Sequence, residues 1–121
     1  MNRSKMVAFM AVAGAAALLT ATGAQAHAKL ASATPAANAM LTAAPKQIVL
    51  KFTEKLQPKF SGFDLSLSGT AVPVKTIVGK DGVTVVGTPA KPLAVGTYTV
   101  TWHAVTKDTH RIEGTYTFMV H

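Results

Sequence analysis

The chain has 121 residues, with 12 basic against 5 acidic side chains and no cysteine. That length suits one domain with a single core, and the lack of cysteine excludes disulfide staples and thiolate metal sites. The basic residues are scattered singly, with no basic run, so the positive balance describes a solvated surface and argues against nucleic acid as a partner.

The first residues carry Arg3 and Lys5 ahead of an apolar, alanine-rich run from Met6 to about Ala21. A charged start followed by a short apolar run is the layout of a secretory signal. The run falls short of the roughly 20 apolar residues that a membrane span requires. Ala24 and Ala26 supply the small side chains accepted at a signal-peptidase site. Cleavage after Ala26 removes residues 1–26 and leaves residues 27–121 as the mature chain, which opens on His27 and carries ten basic and five acidic side chains, a balance of +5.

Beyond that point β-branched and aromatic residues recur in short runs separated by Pro, Gly and Asp-Gly, the punctuation of an all-β domain. The runs predict strands over 29–33, 47–52, 63–68, 72–78, 83–86, 96–105 and 114–120, with no helix of any length. The alanine-rich stretch 31–44 reads as a loop with one short strand. Apolar side chains alternate at Ile48, Leu50 and Phe52, at Phe63, Leu65 and Leu67, and at Tyr116, Phe118 and Val120. Period two with one apolar face marks half-buried strands. Asp81-Gly82 predicts a tight hairpin turn, and the six prolines fall mostly between runs. Seven short strands favour a Greek-key β-sandwich. Trp102, in a β run with Tyr98 and Val100, is a core residue, and His103 beside it points to the other face.

All four histidines lie beyond the cleavage site, at 27, 103, 110 and 121. A mature chain opening on His27 offers a free α-amine and an imidazole that can close a chelate ring on one metal ion. Asp108 and His110 are two apart just after a predicted strand, so strand geometry, if it continues, points both to one side. Three nitrogens and one oxygen suit tetragonal Cu(II). Zinc prefers tetrahedral sites and ranks below copper for such ligands, and calcium and magnesium want more oxygen donors than are present. Spacing alone leaves the plainer readings open: a frayed terminus at His27, a turn at Asp108 and a surface imidazole at His110. His121 reads as a disordered chain end.

Several motifs occur in a specific order: His27-Ala28-Lys29-Leu30, Pro35 to Asn38, Ile48 to Glu54, Gly96 to Trp102, and Asp108 to Gly114 as Asp-X-His-X-X-X-Gly. In order and spacing the mature chain resembles the CopC family of periplasmic copper-binding proteins, also called PcoC or YobA-like, over essentially its whole length. The resemblance implies a cupredoxin-like, immunoglobulin-like β-sandwich. It implies Cu(II) held by the amine and imidazole of His27 with Asp108 and His110. Glu54 stands where some relatives place a glutamate near the copper, as a weak axial ligand or behind the ligands. The implied role is a non-catalytic periplasmic copper carrier or buffer in copper homeostasis or resistance, with a CopD-type inner-membrane transporter as partner.

The chain departs from the family in one respect. Some members carry a methionine-rich loop for Cu(I), whereas residues 59–68 hold no methionine and only Met40 and Met119 remain after cleavage. A thioether site is therefore not expected. Two other functions compete: a histidine-brace oxidative copper enzyme, which needs an open copper position for oxygen, and a metal-free structural sandwich.

Overall fold

The computed structural model describes residues 29–121; the signal segment and His27 lie outside them. Among the described residues the chain forms nine strands: β1 (Leu30–Thr34), β2 (Met40–Leu41), β3 (Ile48–Phe52), β4 (Gly62–Leu67), β5 (Thr70–Val72), β6 (Val74–Val78), β7 (Thr84–Pro89), β8 (Gly96–Val105) and β9 (Arg111–Val120). One sheet has the order β1-β3-β7-β6 and the other β2-β9-β8-β4-β5. Only β4–β5, β6–β7 and β8–β9 are hairpins within a sheet; every other connection carries the chain across to the opposite sheet. The result is a β-sandwich with, among the described residues, one 3₁₀ turn at Pro58–Phe60. No helix among the described residues is long and apolar enough to cross a membrane.

The alternation read from the sequence places the core. Ile48, Leu50 and Phe52 of β3, Phe63 and Leu65 of β4, Tyr98, Val100, Trp102 and Ala104 of β8, and Phe118 and Val120 of β9 are buried between the sheets. Tyr98 stacks on Phe118 at 5.2 Å, while Phe52 of one sheet meets Trp102 of the other edge-on at 5.2 Å. Both arrangements suit the charge distribution of aromatic rings.

The expected seven strands become nine for two local reasons. The run 72–78 is cut by Pro73, which has no amide hydrogen to give a ladder. Val72 still pairs with Leu65 in the five-stranded sheet, and Val74 already pairs with Pro89 in the four-stranded one. The other addition is β2, inside the stretch expected to be a loop. Two residues are too few for any periodicity, and β2 is held by parallel pairing with the end of β9. The Asp81-Gly82 turn is also wider than a two-residue hairpin. Gly79 N donates to Thr84 O at 2.7 Å, and Asp81 caps the loop through Val83 N and Thr84 N, both at 3.0 Å. Gly82 alone takes the positive φ, 79°.

At one end of the sandwich, beyond β3 and β8, two segments run side by side. Leu56 and Thr106 form an antiparallel bridge, Gln57 N donates to Val105 O at 2.7 Å and Lys107 N donates to Lys55 O at 3.2 Å. This end carries the candidate site.

Candidate metal centre

The loop between β8 and β9 is built around Thr106, which is only 2 % exposed. Its amide donates to His110 O at 2.9 Å and its carbonyl accepts from Thr109 N at 2.9 Å and from Gln57 Nε2 at 2.8 Å. Its hydroxyl accepts from His110 N at 3.2 Å and donates to Asp108 Oδ1. One buried hydroxyl thus fixes both the carboxylate of Asp108 and the backbone of His110. Asp108 Oδ2 then lies 3.1 Å from His110 Nδ1, with the two side chains 64 % and 61 % exposed respectively.

Asp108 and His110 converge as expected, but by a different geometry. Lys107 and Asp108 form a turn, and the β9 ladder resumes only at Arg111. Thr109 between the two has φ 72°, and this left-handed residue brings His110 back beside Asp108, where strand alternation was expected to do so. That conformation costs an L-residue roughly 1–2 kcal/mol, and for a β-branched side chain it persists only where the surroundings over-determine it. The bonds around Thr106 supply that determination.

The Thr106 hydroxyl, and after it the hydrogen bond from His110, holds the Asp108 carboxyl below the usual carboxylate range. The group is a ready anion, directed outward beside an imidazole. So exposed an ion pair adds little to stability; its consequence is positional.

On the other flank Lys29 N donates to Thr53 Oγ1 at 3.0 Å, and Thr53 N donates back to Lys29 O at 3.0 Å. The chain two residues beyond His27 is therefore clamped to the segment that runs beside Thr106 and Lys107. Glu54 sits on that segment, next to Thr53. Among the described residues no three His, Cys, Asp or Glu side chains gather around one metal position, so Glu54 is not brought into the Asp108–His110 pair. His103 lies elsewhere, on the outer face of the five-stranded sheet opposite Gly62 and Glu113. His121 is at the far end of β9 and continues its ladder, its amide donating to Leu41 O at 2.8 Å. Thr53 and Thr106 were not singled out in the sequence. The one available signal was a hydroxyl two residues before Asp108, a spacing at which side-chain hydrogen bonds are common in turns.

Residues 30–121 match the family model described as the CopC domain. The chain is 45 % identical to Copper resistance protein C of Pseudomonas syringae pv. tomato, over 99 % of this chain and 98 % of that one. It is 43 % identical to Copper resistance protein C of Escherichia coli, over 80 % and 83 %, and 41 % identical to protein YobA of Escherichia coli strain K12, over 78 % and 79 %. Among solved structures it is similar to PcoC, a methionine-rich copper resistance protein from Escherichia coli, with a TM-score of 0.73 and 43 % identity over 79 % of this chain and 100 % of that one. CopC from Methylosinus trichosporium OB3b gives a TM-score of 0.70 at 30 % identity, over 78 % and 93 %.

Proposed function

The chain belongs to the CopC family, and from that membership together with the geometry of the β8–β9 loop we propose that it is a periplasmic, non-catalytic Cu(II)-binding protein acting in copper homeostasis or resistance. The observation that carries this reading is the exposed Asp108–His110 pair, held at 3.1 Å by a buried threonine. Relatives named for copper resistance supply the identity of the metal.

In this reading the signal is removed after Ala26 and His27 adds its amine and imidazole to Asp108 and His110. Lys29, two residues beyond His27, is clamped on Thr53, and the proposed site needs the chain to span only the roughly 7 Å that two residues allow. Glu54 takes no coordination position in this reading. Three nitrogens and a carboxylate oxygen form a hard-to-borderline set suited to tetragonal Cu(II). Asp108 fills the position that an oxygen-activating copper enzyme would leave open, which favours a carrier or buffer. A CopD-type membrane transporter is the partner that follows from this role.

Electron paramagnetic resonance of the Cu(II)-loaded, exported protein tests the assignment. Nitrogen coupling should correspond to one amine and two imidazoles, and His110→Ala should remove one nitrogen from it. A spectrum indifferent to His110→Ala would sink the proposal.

The pH dependence follows from the ligands. Copper must displace protons from the imidazoles and the amine, so affinity should fall as the medium is acidified. Asp108, its folded pKa lowered, binds its proton only below the ordinary carboxylate value of about 3.9. Whatever stability its charged form contributes is present above that value and lost as pH falls through the lowered one. Between about pH 7 and about pH 5 the carboxylate should therefore take no part. Competition titrations across that window should give an Asp108→Asn variant weaker than the parent by a constant factor, with the same slope against pH.

A further inference from the structure

Met40 and Met119 stand far apart in the sequence, and the fold makes them neighbours. Asn38, with φ 65°, closes the turn after Pro35, its amide donating to Thr117 O at 2.7 Å while Met119 N donates to Ala39 O at 2.8 Å. Asparagine tolerates that left-handed conformation better than most residues. The turn sets β2 parallel to β9 with Met40 opposite Met119 and Leu41 opposite Val120. Leu41 and Val120 pack toward the core, so both methionines face outward. His121 is two residues beyond Met119 and by alternation faces the same way, in a ladder extended by the bond from its amide to Leu41 O.

Neighbouring strands lie about 4.8 Å apart and residues two apart on a strand about 6.7 Å. Both spacings are within the span of flexible thioether side chains with three rotatable bonds. Met40 is 65 % exposed, so its sulfur does not serve core packing. A shallow depression of about 160 Å³ separates the pair from Asn38, Thr97 and Thr117, and no charged side chain lines it.

We propose that Met40, Met119 and His121 form a second metal site, one that takes Cu(I) through two thioethers and an imidazole. Soft sulfur donors select Cu(I) over divalent ions, and an uncharged surround suits a monovalent cation. The site does not depend on the Cu(II) assignment. β9 begins at Arg111, directly after His110, and ends at Val120, directly before His121, so its ten residues hold the two sites roughly 30 Å apart. The expectation that no thioether site exists rested on the missing methionine-rich loop; strand pairing supplies the second sulfur by another route.

Ag(I) is a redox-inert probe of the same softness, and in a chain without cysteine it meets no thiolate. Methyl NMR of exported protein labelled at methionine Cε should show the Met40 and Met119 signals moving together and saturating at one equivalent. Met40→Leu and Met119→Leu, near volume-conserving changes on an exposed face, assign the two signals, and each should abolish the response of the other. His121→Ala should weaken binding, and His110→Ala, which removes a Cu(II) ligand, should leave the response intact. Methyl signals that stay still at one equivalent, one moving without the other, or an affinity unchanged by His121→Ala would each overturn the site.

Discussion

One extra residue ahead of His27 is expected to weaken Cu(II) binding by more than the roughly 10–100-fold that loss of a metal site's supporting partner produces. The extension leaves all side chains in place and converts one amine into a peptide nitrogen. A peptide nitrogen binds Cu(II) only after losing its proton, so the amine-to-imidazole chelate of the processed chain is lost and any replacement must first displace that proton. Asp108 and His110 remain, held by Thr106 as before, but the proposed site would be left with these two donors on an exposed loop. The apo fold should be indifferent, because the sandwich begins with β1 at Leu30. Copper should raise the melting temperature of the correctly processed protein far more than that of the extended one, since a ligand bound only to the native state stabilises it in proportion to RT ln(1 + [L]/Kd). Competition against a chelator of known affinity measures the difference directly. Equal affinities in the two proteins would remove His27 from the site. Signal processing would then have no part in forming it.

The fold was legible where burial is one-sided. β8 over Gly96–Val105 coincides with the expected run, and the inward set on β3 and β9 follows the predicted alternation, because a long strand with one apolar face specifies its own register. β2 was not legible, since its position depends on a parallel partner 79 positions away. The division at Pro73 was recoverable in principle from the missing amide hydrogen. At the proposed site, residue types and spacing point to Asp108 and His110 as a converging pair, and the two side chains do meet, but strand alternation is not what unites them. Their geometry comes from a left-handed Thr109 and from Thr106, whose buried hydroxyl bonds both the Asp108 carboxylate and the His110 amide. A hydroxyl two residues before Asp108 is a weak trace of it, because the same spacing occurs in many exposed turns. The Met40–Met119 pairing was invisible for the same reason as β2, because nothing local to either residue reports the other.

Gly114→Ala is expected to destabilise the apo protein by about 3 kcal/mol, the upper end of the usual range for overpacking a core. The glycine closes the Asp108-to-Gly114 motif, yet its part is packing. It lies opposite Trp102 in the β8–β9 ladder, and a methyl group there would come within 2.4 Å of Cζ2 and 2.7 Å of Cε2 of the indole. The ring has little room to retreat, because Phe52 of the opposite sheet meets it edge-on at 5.2 Å. For a domain of this size the loss converts to a fall in melting temperature of roughly 12–24 °C. The mechanism predicts non-additivity: Trp102→Phe alone leaves a void, but in the Gly114→Ala background the smaller ring makes room for the methyl, so the double variant should be more stable than the sum of the two losses allows. Cu(II) affinity in the folded fraction should change much less, because Gly114 touches the indole while Asp108 and His110 are positioned by Thr106. Thermal unfolding of the four proteins of this cycle, with and without copper, therefore separates the two halves of one motif: the proposed copper ligands Asp108 and His110, and Gly114, which permits β8 and β9 to close over the tryptophan.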